Sequence, residues 1–115
     1  MSRKYKIMKV LTRKEELILL AVWKLQGNAY GVTIREYIEK MTGLKWVFGA
    51  IYSPLSRLVK RGLVESMECA PQPDRGGRSR TLFHLTPQGK KALQQVRELS
   101  ASIWDDVPPF MEDLK

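Results

Sequence analysis

The chain holds one cysteine, Cys69, and one histidine, His84, in 115 residues. A lone cysteine closes no internal disulfide, and without a second cysteine or a histidine cluster the usual zinc spacings cannot form. Cys69 therefore reads as a small strand residue. No apolar run approaches the roughly 20 residues that span a bilayer; the longest is Leu17 to Val22, with Trp23 beside it. The basic N-terminus leads into no apolar segment with a small-residue cleavage site, so the chain is expected in the cytoplasm and off the membrane. A phosphate-binding glycine loop is also missing, and His84 has no partnered acid. Neither an enzyme, a cofactor nor a metal is expected. With no internal repeat and no low-complexity tract, a chain of this length suits one domain around one core.

What the chain has is positive charge, +8 net with a pI near 9.8. Met1 to Lys14 carries Arg3, Lys4, Lys6, Lys9, Arg13 and Lys14 and no acid, and Lys45 to Arg61 carries Lys45, Arg57, Lys60 and Arg61, again with none. Ala101 to Lys115 instead carries Asp105, Asp106, Glu112 and Asp113. A basic body with an acidic tail suits a polyanionic partner; the competing reading is plain solvated surface.

Thr12 and Glu15 form a capping-box pattern that starts a first helix. Its body is apolar nearly all round from Leu17 to Leu25, which predicts burial on two sides. Gly27 and Asn28 end it. From Tyr30 to Thr42, Ile34, Tyr37, Ile38 and Met41 recur at helical spacing, giving an amphipathic second helix closed by Gly43. After "LKWVFG", a third helix sets Ile51, Leu55 and Leu58 against Ser53, Ser56, Arg57 and Lys60, and closes at Gly62. The two helices and their short turn make a helix-turn-helix candidate. Pro54 predicts that the third helix either starts late or is kinked.

Leu63, Val64 and Met67 are strand-compatible, as is "RTLFHL", in which Leu82 and His84 alternate with Thr81, Phe83 and Leu85. Between them runs a proline- and glycine-rich connector from Pro71 to Gly77. Thr86 as N-cap and Pro87 at the first position open a last helix. Leu93, Val96, Ser100, Ile103 and Val107 form a heptad-like seam along it, stopped by Pro108 and Pro109. The expected fold is mainly α with a small β-hairpin: a winged helix-turn-helix plus a C-terminal dimerisation helix. Its parts are a basic arm over 1–11, the DNA-binding domain over 12–86, the dimerisation helix over 87–107 and an acidic tail over 108–115.

Three segments resemble the PadR-like transcriptional regulators. "LQGNAYGVTIREYIEKMTGLKW" matches at Tyr30, Gly31, Ile34, Thr42, Gly43 and Trp46. "GAIYSPLSRLVKRGLVES" resembles the recognition-helix pattern at Gly49, Ile51, Tyr52, Leu55, Arg57, Leu58, Gly62, Leu63 and Val64. "GGRSRTLFHLTPQGKKAL" resembles the wing and its exit at Gly76, Gly77, Arg78, Leu85, Thr86, Pro87, Gly89 and Leu93. The likeness spans roughly Leu11 to Leu99. It departs where the family places proline directly after the tyrosine, since here Ser53 intervenes before Pro54. The short tail is similar to the branch in which one C-terminal helix serves dimerisation. Penicillinase-repressor and multiple-antibiotic-resistance regulators share the architecture and are the nearest alternatives.

A recognition helix needs small and polar side chains at base edges and cations at phosphates. Ala50, Ser53, Ser56, Arg57 and Lys60 fit, and Tyr52 either joins them or buries its ring with the hydroxyl outward. Arg75, Arg78 and Arg80, beside Gly76 and Gly77, suit phosphates or a narrow minor groove as a wing tip. An apolar first helix and a seam of Leu93, Val96, Ile103 and Trp104 are both satisfied by a second subunit, so a homodimer on an inverted repeat of double-stranded DNA is expected, acting as a repressor. Trp23 and Trp104 either pack or border a pocket for a flat aromatic effector, as the resemblance implies for some relatives. The function competing from another class is a winged-helix protein-interaction module using the same basic face.

Overall fold

The computed structural model describes residues 9–70 and 80–110. Three helices, α1 (Arg13–Lys24), α2 (Gly31–Thr42) and α3 (Gly49–Lys60), precede a hairpin of β1 (Val64–Cys69) and β2 (Arg80–Leu85), and α4 (Pro87–Trp104) follows. The strands pair antiparallel with Val64 opposite Leu85 and Cys69 opposite Arg80. Phe83 also donates its N–H to the Ala29 carbonyl at 2.9 Å, which ties the wing to the turn between α1 and α2. Burial settles the face of β2 that periodicity had left open: Phe83 points into the core, while Leu82 and His84 lie on the other side.

The core gathers Ile18, Leu19 and Val22 of α1, Ile34 and Ile38 of α2, Ile51, Leu55 and Leu58 of α3, and Val64 and Phe83 of the hairpin. Because α1 packs on α2, α3, β2 and α4 of its own chain, most of its apolar surface is covered without a second subunit. Leu17, Leu20 and Leu25 are half-buried and Trp23 is exposed. The expectation that a partner must cover α1 is corrected accordingly. The weight of that reasoning passes to α4.

Two local expectations are resolved by geometry. Pro54 neither delays nor interrupts α3: the helix starts at Gly49 and carries the proline in its interior with the ring buried. The ring fills core space, and the missing N–H leaves the Ala50 carbonyl without its usual partner four residues on. The last helix stops at Trp104, short of Val107. Pro108 disfavours helical backbone at the residue before it, and Asp105 and Asp106 are unfavourable at a helix C-terminus.

The α1 cap does more than its spacing implied. Thr12 Oγ1 accepts the Glu15 N–H at 3.1 Å, and Glu15 Oε1 accepts the Thr12 N–H at 2.9 Å. The other carboxylate oxygen meets Arg61 Nη1 at 3.3 Å, at the end of α3, with side chains only 14% and 23% exposed. One residue thus caps α1 and pins α3. Glu15→Ala is expected to cost about 2–3 kcal/mol in urea unfolding, a lost cap plus a charged hydrogen bond stripped from a largely buried arginine. Glu15→Gln, which can still accept from Thr12, should cost less; a Gln variant as stable as the wild type would show that the ion pair contributes nothing, and losses equal to those of Glu15→Ala that the cap bond does not.

Candidate nucleic-acid interface

The inward set on α3 is Ile51, Pro54, Leu55 and Leu58, so helical geometry turns Tyr52, Ser53, Ser56, Arg57 and Lys60 outward, and all five are exposed. Ala50, expected with them, is half-buried at the edge of the face. The helix contains no acid. Among the described residues, Arg57 and Lys60 have no ion pair, in contrast to Arg61 with Glu15 and Arg13 with Glu16. Two cations without counterions on a face with two hydroxyls form an anion-seeking surface whose charge is not spent internally.

Tyr52 follows neither of its two expected placements fully. It is 45% exposed, yet its ring stacks on Phe48 with centroids 5.9 Å apart. Its hydroxyl end lies on Gly31 at the start of α2, where an added Cβ would overlap the ring. On the far side Arg35 holds Phe48, its Cζ 4.4 Å from the ring centroid, and donates from Nη1 to the Trp46 carbonyl at 3.5 Å. Gly31, Arg35 and Phe48 therefore position Tyr52. Periodicity could not flag Gly31 and Arg35, because each acts on a residue of a different element, whereas Phe48 lies one helical turn before Tyr52.

Arg75 and Arg78 lie outside the described residues. Arg80 is exposed at the start of β2, its guanidinium 4.5 Å from the Tyr30 ring centroid. That contact keeps the Arg80 charge beside the N-terminus of α2. Of the expected dimer seam, Leu93 and Val96 pack against the chain's own core, while Ile103 and Trp104 are each 58% exposed. Leu99, Val107 and Phe110 are exposed as well. Trp23 lies under Lys90, 4.7 Å from Nζ to ring centroid, in a groove of about 450 Å³ between α1 and α4. Trp104 does not line this groove; it stands fourteen residues beyond Lys90, roughly 21 Å along the helix axis. A single chain does not bring the two tryptophans together.

Three helices with a two-stranded wing against them define a winged helix-turn-helix protein. The transcriptional regulator PadR-like family matches residues 19–95. The chain belongs to this family, whose members are transcriptional regulators and not enzymes. It is 26% identical over 103 residues to YdgG, an HTH-type transcriptional regulator of Bacillus subtilis, covering 88% of this chain and 59% of that protein. Among solved structures, RosR of H. salinarum is 26% identical with a TM-score of 0.66, over 85% of this chain and 81% of that one. A PadR-like transcription factor from Bacteroides fragilis superposes with a TM-score of 0.70 at 24% identity, over 83% and 89% of the two chains, a likeness of fold. Among the described residues no helix is long and apolar enough to cross a membrane.

Proposed function

We propose that this regulator binds double-stranded DNA as a homodimer, recognises an inverted repeat with the α3 face, and represses transcription by occupying it. The observation that carries the reading is the acid-free face on which Ser53, Ser56, Arg57 and Lys60 stand exposed together. Arg57 has the length and fork geometry to read guanine, and Lys60 sits one turn on, suited to a phosphate. The wing arginines Arg75, Arg78 and Arg80 supply further backbone contacts. The exposed apolar end of α4 supports the dimer, which matches the symmetry of an inverted repeat. An aromatic effector pocket shared by Trp23 and Trp104 then requires both chains. A cytoplasmic location follows from this role.

Fluorescence anisotropy on the DNA upstream of its own gene tests the proposal. With six to ten phosphate contacts, affinity is expected to fall by about 10³ or more between 50 and 200 mM salt. Arg57→Ala should weaken the specific site roughly 10–100-fold, and Lys60→Ala should lower the salt slope by about one. Affinity indifferent to salt and to both substitutions would instead favour a protein-interaction module.

A further inference from the structure

We infer that Val47 reads the 5-methyl group of thymine and is a specificity-determining residue at the entry to α3; this rests on the DNA-binding reading above. The connector before α3 disposes its side chains unequally. Trp46 packs against the core, with Lys14 Nζ 5.3 Å from its ring centroid. Phe48 is held between Arg35 and Tyr52. Val47, between them, is 73% exposed, more than any other large hydrophobic side chain among the described residues. It is nevertheless anchored, because its carbonyl accepts the Ala50 N–H at 3.0 Å and so belongs to the opening turn of the helix.

In a helix-turn-helix the N-terminal residues of the recognition helix meet the base edges. Here those residues are Val47, Gly49, Ala50, Tyr52 and Ser53, without a carboxylate, amide or guanidinium among them. Arg57 lies eight residues past Gly49, roughly 12 Å along the axis. The opening turn therefore lacks the paired donors and acceptors that distinguish guanine or adenine, and presents apolar surface with hydroxyls beside it. In the major groove the base-edge group complementary to apolar surface is the thymine methyl. A single exposed valine is ordinary on a protein surface. This one is set apart by its fixed position at the end of the helix that carries Arg57 and Lys60.

The test uses a duplex selected by the wild-type protein from a random pool, with each thymine replaced in turn by deoxyuridine, which removes only the methyl group. One or two positions should weaken wild-type binding about fourfold each, the worth of one buried methyl group. Val47→Ala should bind the unmodified duplex weaker by about the same factor and be indifferent to deoxyuridine at those positions. Its thermal midpoint should match the wild type, since the side chain is mostly in water, and Val47→Thr, which keeps one methyl, should fall between. Equal deoxyuridine sensitivity in wild type and Val47→Ala, or no sensitive position, would overturn the assignment while leaving DNA binding intact. Failure to select any duplex, or salt-independent binding, would remove the DNA-binding reading and this assignment with it.

Discussion

Gly89→Ala is expected to lower the midpoint of thermal unfolding by roughly 10–20 °C, equivalent to about 2–4 kcal/mol. Helix propensity alone predicts the opposite sign, because alanine is favoured over glycine inside a helix by about 1 kcal/mol. Packing decides the matter. Gly89 is buried in the first turn of α4, and a Cβ there would fall on the Leu63 carbonyl oxygen as well as on the Leu85 side chain. Leu85 can rotate away, but the Leu63 carbonyl already accepts the Thr86 N–H at 3.1 Å. Thr86 Oγ1 in turn accepts the Gly89 N–H at 3.0 Å and donates to the Gly62 carbonyl at 2.6 Å. Relieving the overlap means lifting α4 off the end of α3 and opening these bonds together. Gly49→Ala is the control: open space surrounds that position, so the same change should stabilise by up to about 1 kcal/mol. Calorimetry showing an unchanged or raised midpoint for Gly89→Ala would refute the close approach.

The second large effect is expected from Ile103→Gln combined with Trp104→Gln. Both side chains are 58% exposed on one chain, and glutamine keeps the helix propensity, so the fold should be nearly as stable as before. The proposed dimer should not survive. At micromolar concentration sedimentation should change from dimer to monomer, and affinity for an inverted repeat should fall by roughly 10²–10⁴, because the second half-site is no longer held close by the first. A persistent dimer would move the seam elsewhere on α4 or off it. Since α1 is largely covered by its own chain, the exposed end of α4 is the surface left for the proposed dimer.

Much of the architecture was legible locally. Thr12 with Glu15, the four-residue steps of Ile34 and Ile38, the glycines that close α2 and α3, and Thr86 with Pro87 each declare an element through neighbours within one or two turns. The outward face of α3 follows from the same periodicity. The support beneath that face did not follow. Tyr52 rests on Gly31, from another helix, and nothing in either segment's pattern announces that the tyrosine needs a residue without a side chain there. Arg35 reads as a polar position on α2, whereas it holds Phe48 and spans the connector.

Hydrophobic period, capping residues and charge clustering settled the element order, the fold class and the basic face from sequence, because each is carried by residues close together in the chain. Contacts between distant segments were decided only by the folded structure. Glu15 reaches Arg61, Gly89 meets the Leu63 carbonyl, and Phe83 of β2 bonds to Ala29. Leu82, Phe83 and Leu85 are all apolar, so alternation could not say which side faces inward until packing in the core chose Phe83. The physical reason is common to all three: periodicity encodes which face of an element is buried, and only packing decides what lies against it.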